Sequence, residues 1–268
     1  MRSFTPQYND EPANHIEAIG RNIITTITSS GKALLVTAEA FRWVVHVFKR
    51  RAEVGRQMYI IGIRSFAVTE IVALFTGMIL SLQAGLELQN YGQEVNVGII
   101  VSQTMCREMG PFMTALILAA SVGSAMAAEL GTMSVSEEID ALQVMSINPV
   151  RFLVMPRLVA MIIMMPVLTI FTDLIGTFGG GLVAKTQLNV TWSAYYMNVR
   201  LLLQNKEIYV GLLKAVVFGV IVTTVSCYQG LATTNGAVGV GRATRRAVVI
   251  SFLLVLITGY FMTQMFYS

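Results

Sequence analysis

Charged residues are scarce in this 268-residue sequence: they make up 13% of it, against roughly a quarter in soluble domains. Hydrophobic residues account for 54% and are collected in long runs. Three of these runs, 158–184, 208–228 and 247–266, hold at most one charged residue each. Because a helix needs about 20 residues to cross the ~30 Å hydrocarbon layer, the composition argues against a soluble domain and predicts several membrane spans.

Histidine and cysteine are also rare, with two residues of each. His15 and His46 precede the first apolar run, so neither can supply a base or a metal ligand at membrane depth. The sequence has no HExxH motif and no pair of aspartates, which argues against an intramembrane enzyme. Cys106 and Cys227 form no CxxC pair, and we expect them to be packing residues without a disulfide or a metal.

A phosphate-binding loop is missing as well. The Gly31-Lys32 pair is followed by alanine and lacks the glycine five residues ahead that a P-loop requires. We therefore expect no ATP hydrolysis and no cofactor in this chain. The first thirty residues contain no compact apolar stretch followed by a small-residue cleavage site, so no cleavable signal peptide is expected.

The apolar runs predict an all-α membrane protein with five transmembrane helices, at 63–86, 97–130, 158–184, 208–228 and 247–266. Fourteen of the 19 Lys and Arg residues lie in segments that are cytoplasmic if the N-terminus is cytoplasmic. The positive-inside rule then predicts an N-in/C-out orientation. The net charge of +4 fits this topology and anionic lipid headgroups. No basic patch with interleaved aromatics predicts binding to nucleic acid.

The predicted spans divide the chain into three parts. Residues 1–14 are polar, contain two prolines and are predicted to be disordered. Residues 15–62 are predicted to form cytoplasmic or interfacial amphipathic helices, and residues 63–268 the five-helix transmembrane domain. In the outer segment 185–207, Trp192, Tyr195 and Tyr196 are predicted to form an aromatic belt at the membrane interface.

The segment 31–51 has the pattern of an amphipathic helix with two distinct faces. The apolar face consists of Leu34, Ala38, Phe41, Val45 and Phe48. The polar face consists of Lys32, Glu39, Arg42, His46 and Lys49. A helix with a basic polar face suits the inner membrane interface. A soluble helix packed on a cytoplasmic partner is the alternative.

Two charges and a Gly-Pro pair interrupt the predicted second span. Arg107 and Glu108 lie about 15 Å into it at 1.5 Å per residue, and Pro111 removes a backbone donor next to Gly110. This predicts a kink or a break, which membranes tolerate only beside protein or water. Two interpretations remain open: the charges line a polar-edged cavity between helices, or the helix starts late and they reach the headgroups.

The cytoplasmic segment after the second span predicts a short acidic helix at about 136–147. Ser136 is a suitable N-cap, and Asn148-Pro149 would stop the helix. The predicted apolar stripe consists of Ile139, Leu142 and Met145, and the acidic residues are Glu137, Glu138 and Asp140. An acidic helix is not attracted to anionic lipid, so the pattern favours docking in the groove of a soluble partner. A solvated loop helix is the alternative.

Three stretches together resemble the signature of the MlaE/YrbE family of ABC transporter permeases. They are REMGP at 107–111, GSAMAAELGTM at 123–133 and EEIDALQVMSINPVRFLVMPRL at 137–158. In this family the permeases are membrane subunits that work with MCE-domain lipid-binding proteins. The resemblance covers nearly the whole chain, from the interfacial helix through five spans.

The resemblance implies a multi-pass homodimer in the bacterial inner membrane. Two cytoplasmic ATPase subunits, which bind the ATP, would dock beneath it and a periplasmic MCE ring would lie above it. Phospholipid would move between the membrane and the ring. The implied ATPase-coupling residues are Glu137, Glu138, Asp140 and Leu142. The implied lipid pocket between the two copies is formed by Leu80, Leu88, Tyr91, Arg107 and Glu108.

Two other functions are compatible with five spans. An ion-coupled secondary transporter could use the charges within the spans as a relay; these are Arg107, Glu108, Asp173 and Lys214. Their scatter and the absence of an internal repeat argue against it. A scaffold subunit without a substrate path is the other possibility, and only the interrupted second span argues against that.

Overall fold

The computed structural model describes residues 15–268, except for the side chains of residues 15–19, 21–23, 25, 26, 46 and 49. Over this range the chain forms helices joined by short turns and contains no strand. The segment 1–14, which the sequence predicts to be disordered, lies outside the described residues.

The α-helices in chain order are α1 (His15–Trp43), α2 (Arg51–Gln89), α3 (Val97–Thr104), α4 (Gly110–Leu118), α5 (Ser124–Val135), α6 (Glu138–Val144), α7 (Met155–Gln187), α8 (Trp192–Leu202), α9 (Asn205–Leu231) and α10 (Gly236–Tyr267). Five helical stretches are long and apolar enough to cross a membrane: Arg51–Gln89, Glu94–Val135, Val150–Gln187, Asn205–Leu231 and Gly236–Tyr267. We call them the first to fifth spans. The predicted all-α fold with five spans is confirmed, although the helix of the first span begins twelve residues earlier than predicted.

The amphipathic segment differs from its prediction in one respect. It is not a single helix to residue 51: α1 ends at Trp43, and a 3-10 helix, Val44–Arg50, connects it to α2. The predicted apolar face is exposed at Leu34, Phe41, Val45 and Phe48. Val36 and Ala40 are buried against the bundle instead. The exposed face therefore remains free for the membrane interface that the sequence predicts.

Helices α2 and α7 pack side by side along their whole length. Contacts between them follow the same order in both helices, which therefore run parallel: Gly62 with Met164, Gly77 with Gly176, and Gly85 with Leu188. A methyl group on Gly77 would overlap the backbone oxygen of Gly176. Glycine is required at this crossing because the two backbones touch, as small residues allow in membrane helices.

The aromatic belt is only partly as predicted. Tyr195 is fully buried, and its hydroxyl donates to the Thr177 backbone oxygen at 2.9 Å. Burial raises the pKa of this hydroxyl above its usual range. Trp192 stacks between Phe178 and Tyr196, and Tyr196 is exposed. Tyr195 is therefore a core residue that fastens α8 to α7, because its ring enters the apolar cluster between α3 and α7.

Candidate functional site

The interruption of the second span is a π-helical turn at Met105–Met109, directly before Gly110-Pro111. The chain stays helical through it, so the predicted disturbance is a local widening and not a break. Pro111 has no N–H, so the backbone oxygen of Arg107, four residues earlier, has no α-helical donor. Lys214 replaces that donor, with its Nζ 2.9 Å from the oxygen.

Lys214 is the centre of a buried polar cluster. Its side chain is 1% exposed, and its ammonium group has three hydrogen-bond acceptors. Besides the Arg107 oxygen these are Glu108 Oε1 at 2.7 Å and Thr263 Oγ1 at 2.7 Å. An ammonium group has three donors, so its capacity is filled. The cluster joins the second, fourth and fifth spans.

Arg107 forms a second ion pair beside the first. Its Nε and Nη2 donate to the two oxygens of Glu207, each at 2.7 Å. The Tyr267 hydroxyl donates to the same carboxylate at 2.7 Å, and the guanidinium lies 4.1 Å from the centre of the Tyr267 ring. Two-pronged arginine–carboxylate pairs are among the strongest charge-assisted contacts. The ion pair joins the second span to the first turn of α9, and the Tyr267 hydroxyl holds the last turn of α10 against the same turn.

Both charged residues of the REMGP stretch thus form ion pairs with residues of a neighbouring span. The late helix start is wrong, because α3 already begins at Val97. Each charge has a partner on another span, and the partner of Arg107 lies in the first turn of α9. Three of the four charges suggested for an ion relay, Arg107, Glu108 and Lys214, are engaged in these pairs. The positive and negative charges of the two pairs balance.

Sequence reasoning missed Glu207, Thr263 and Tyr267 as members of this cluster. Their partners lie at least 49 residues away along the chain. One signal was available: Glu207 is the last acidic residue in the sequence and stands at the start of an apolar run. A lone carboxylate in that position suggests a specific cation elsewhere in the bundle.

The residues implied as a lipid pocket do not all meet in one place. Leu80 and Leu88 are half-buried and pack against the apolar cluster between α3, α7 and α8. Tyr91 is exposed just beyond the end of α2. Arg107 and Glu108 face α9 and α10. Met109 connects the two groups, because it follows Glu108 and packs on the same cluster as Leu80.

The acidic helix is shorter than predicted, at Glu138–Val144. Ser136 is not its N-cap: its hydroxyl lies 2.9 Å from the Thr132 oxygen at the end of α5, and Glu137 has a left-handed backbone with φ of 60°. The chain therefore turns between α5 and α6 before the helix can begin. Asn148 acts on the following segment instead, where its Oδ1 accepts from the Val150 N–H at 2.9 Å.

The three predicted acids lie on α6 or directly before it. Glu137, Glu138 and Asp140 are exposed, and Leu142 is half-buried. The predicted apolar stripe does not form one free face: Ile139 is buried in this chain's own core and Leu142 packs on the same cluster, whereas Met145 is 61% exposed. Val144 is 85% exposed beside it. The helix thus presents acidic residues next to exposed apolar residues, a combination typical of a protein-docking surface.

A small cavity lies at the same end of the bundle as α6, since Ser134 in the last turn of α5 contacts the Thr233 oxygen at 3.1 Å. The cavity has a volume of about 160 Å³ and is lined by residues of α9, α10 and their connection; the polar ones include Gln229, Thr233, Asn235, Arg242 and Arg246. This end of the bundle therefore carries both the acidic groups of α6 and the basic groups of α10.

Comparison with known proteins gives one consistent result. The model of the family Permease MlaE matches residues 54–265. A probable ABC transporter permease protein of Rickettsia felis is 36% identical over 255 residues, which cover 95% of this chain and 98% of that protein. The intermembrane phospholipid transport system permease protein MlaE of Haemophilus influenzae is 32% identical over 260 residues, covering 95% and 98%.

A more distant relative is the chloroplast protein TRIGALACTOSYLDIACYLGLYCEROL 1 of Arabidopsis thaliana. It is 31% identical over 207 residues, which cover 77% of this chain and 59% of that protein. The family match and the bacterial relatives span nearly the same residues as the five helical spans. The chain belongs to the MlaE permease family and is a multi-pass membrane subunit of an ABC transporter, in which ATP hydrolysis lies in a separate subunit.

Proposed function

We propose that this chain is the permease of an ATP-driven phospholipid transporter in a bacterial inner membrane. Two copies form the lipid path, two ATPase subunits dock at the cytoplasmic side, and a periplasmic MCE protein exchanges lipid at the other side. The observation that carries the proposal is the family match over residues 54–265, with a bacterial relative named for phospholipid transport. The paired charges of the second span support it, because they brace the helices without forming an ion relay.

The proposed orientation of the bundle in the membrane follows from the distribution of its basic residues. Arg151, Arg242, Arg245 and Arg246 lie at the same end of the bundle as α6, and the positive-inside rule makes that end cytoplasmic. The C-terminal end of α10 is then periplasmic. The ATPase would meet α6, and the MCE protein would face the α8 end.

Reversing the charge of Glu137 and Glu138 to lysine should release the ATPase. The acids are exposed, so the substitution removes docking charge without opening the membrane core. We expect the variant to purify from membranes in normal yield but without the ATPase subunit, as judged by co-purification.

The matched control is the double variant Glu87→Lys, Glu94→Lys. It makes the same charge change at the α8 end, where we expect it to leave the ATPase bound. Wild-type recovery of the ATPase with the Glu137→Lys, Glu138→Lys variant would show that α6 is not the docking helix.

The lipid route is tested by Leu80→Trp. Leu80 is half-buried beside Met109, so the larger ring should fill the space where acyl chains are proposed to enter. We expect several-fold less phospholipid to co-purify with the complex, measured by mass spectrometry. Ile79→Trp is the control, because Ile79 is exposed on the neighbouring face of α2.

Equal lipid recovery in the Leu80→Trp and Ile79→Trp variants would place the lipid route elsewhere.

Two other results would contradict the proposed function itself. Lipid or solute movement driven by an ion gradient in vesicles that lack the ATPase would favour the ion-coupled transporter. Unchanged ATP-dependent lipid exchange in a Glu108→Ala variant would favour the scaffold.

A further inference from the structure

Two buried acidic residues flank the crossing of α2 and α7 in the middle of the membrane domain, outside the clusters described above. Ala73 contacts Gly176 where α2 crosses α7. Three residues earlier on each of these parallel helices stand Glu70 and Asp173, so both buried acids lie in the turns next to this crossing. Glu70 lies midway along α2, so the pair is at the centre of the first and third spans.

Both carboxyl groups are buried and lack partners. Glu70 is 7% exposed and Asp173 is 8% exposed. Neither oxygen of Glu70 has a hydrogen-bond partner, and Asp173 Oδ1 has none either. That Asp173 oxygen lies against Gly110 of the second span, where a methyl group would overlap it. Buried polar groups in proteins are nearly always hydrogen-bonded, so three orphaned oxygens require an explanation.

No nearby cation is free to neutralise the pair. The charged and titratable groups on the packed elements include Cys106, Arg107 and Glu108 of the second span, Glu207 and Lys214 of α9, and Arg64 of α2. Arg107 and Lys214 are bound to Glu207 and Glu108. Arg64 is exposed on its helix. Among the described residues, therefore, no basic side chain pairs with Glu70 or Asp173.

Two ionised carboxylates cannot remain unpaired at this depth. Burial of an isolated charge is so costly that the group neutralises instead, and a second like charge adds to the cost. A metal cation does not fit the site, since Mg²⁺ and Ca²⁺ take six or more oxygen ligands. Residues 15–268 with described side chains hold no group of three His, Cys, Asp or Glu that could bind a metal. A proton needs only one oxygen.

We propose that Glu70 and Asp173 form a proton-binding site at the crossing of α2 and α7 and carry at least one proton at neutral pH. A protonated carboxyl can donate to the other carboxyl, and this one hydrogen bond engages two of the three orphaned oxygens without a basic residue. The bound proton keeps the tightest helix contact of the bundle neutral. This site is independent of the proposed lipid route, because it requires neither ATPase nor lipid.

Infrared difference spectroscopy on the purified wild-type protein tests the site directly. A protonated carboxyl has a C=O band that ionised carboxylates lack. We expect this band at neutral pH in the wild type and its loss or shift in Glu70→Gln and Asp173→Asn. In the control Glu108→Gln, which removes an ion-paired carboxylate, only ionised-carboxylate bands should change. Absence of a protonated band in the wild type at neutral pH would overturn the proposal.

The dependence of stability on pH gives a second readout. Where the folded pair keeps a proton that the unfolded chain releases, stability falls as the pH rises. The double variant Glu70→Gln, Asp173→Asn should lack this component of the slope and melt no lower than the wild type at neutral pH. A melting temperature that Na⁺ raises at fixed pH and ionic strength, in the wild type alone, would overturn the proposal in favour of a metal cation. If neither variant folds, the wild-type band still tests the proposal: its presence at neutral pH supports the proposal and its absence contradicts it.

Discussion

Replacing Lys214 with methionine should lower the stability of the protein by about 3 kcal/mol, near the lower end for breaking a buried ion pair. The lower end applies because the Glu108 side chain keeps 34% of its surface exposed. The substitution leaves that carboxylate without its cation and the Arg107 backbone oxygen without a donor. We expect a large fall in melting temperature in detergent.

A second substitution separates the stability lost through the unpaired charge from the stability lost through changed packing. Adding Glu108→Gln to Lys214→Met removes the uncompensated carboxylate, and at least half of the lost stability should return. Lys185→Met is the matched control: Lys185 is exposed at the end of α7, so its replacement should change stability little. A Lys214→Met protein that melts like the wild type would show that the cluster does not hold the three spans together.

Replacing Gly77 with alanine should lower the stability of the protein at least as much as Lys214→Met does. The new methyl group would overlap the Gly176 backbone oxygen, which cannot rotate out of the way as a side chain could. Overpacking commonly costs about 1–3 kcal/mol and sometimes more, and we expect about 3 kcal/mol or more here because two helix backbones must separate. Thermal melting and the yield of folded protein measure this loss of stability.

Two other glycines of α2 serve as graded controls. Gly55 has open space around it, so Gly55→Ala should raise stability by about 0.5–1 kcal/mol through helix propensity alone. At Gly85 the methyl group would meet the end of the Leu188 side chain, which can move, so Gly85→Ala should fall between the two. If Gly77→Ala melts at or above the temperature of Gly55→Ala, the helices do not cross as closely as described.

The number and type of spans were predictable because a membrane solvent imposes length and apolarity on each helix separately. The exposed acids of α6 were predictable for a similar reason, since they depend on local composition. The start of α6 was not, because Ser136 follows α5 so closely that its hydroxyl bonds back to Thr132. Local sequence cannot decide which of two adjacent helix ends such a hydroxyl will serve.

The candidate site was predictable only in part. Charges at membrane depth mark Arg107 and Glu108 as unusual, but their partners are chosen by which helices pack together. The same limit applies to Tyr195, which looked like an interfacial aromatic until the packing of α8 placed it in the core. The position of Glu70 and Asp173 on either side of one helix crossing likewise depends on the parallel pairing of two helices that the second span separates along the chain.

The close crossing of α2 over α7 restricts how the bundle can change shape. Backbone touches backbone at Gly77, so no flexible side chain lies between the helices to absorb sliding. The two helices should therefore travel as a single rigid block, and hinge or shear motion must arise at other seams.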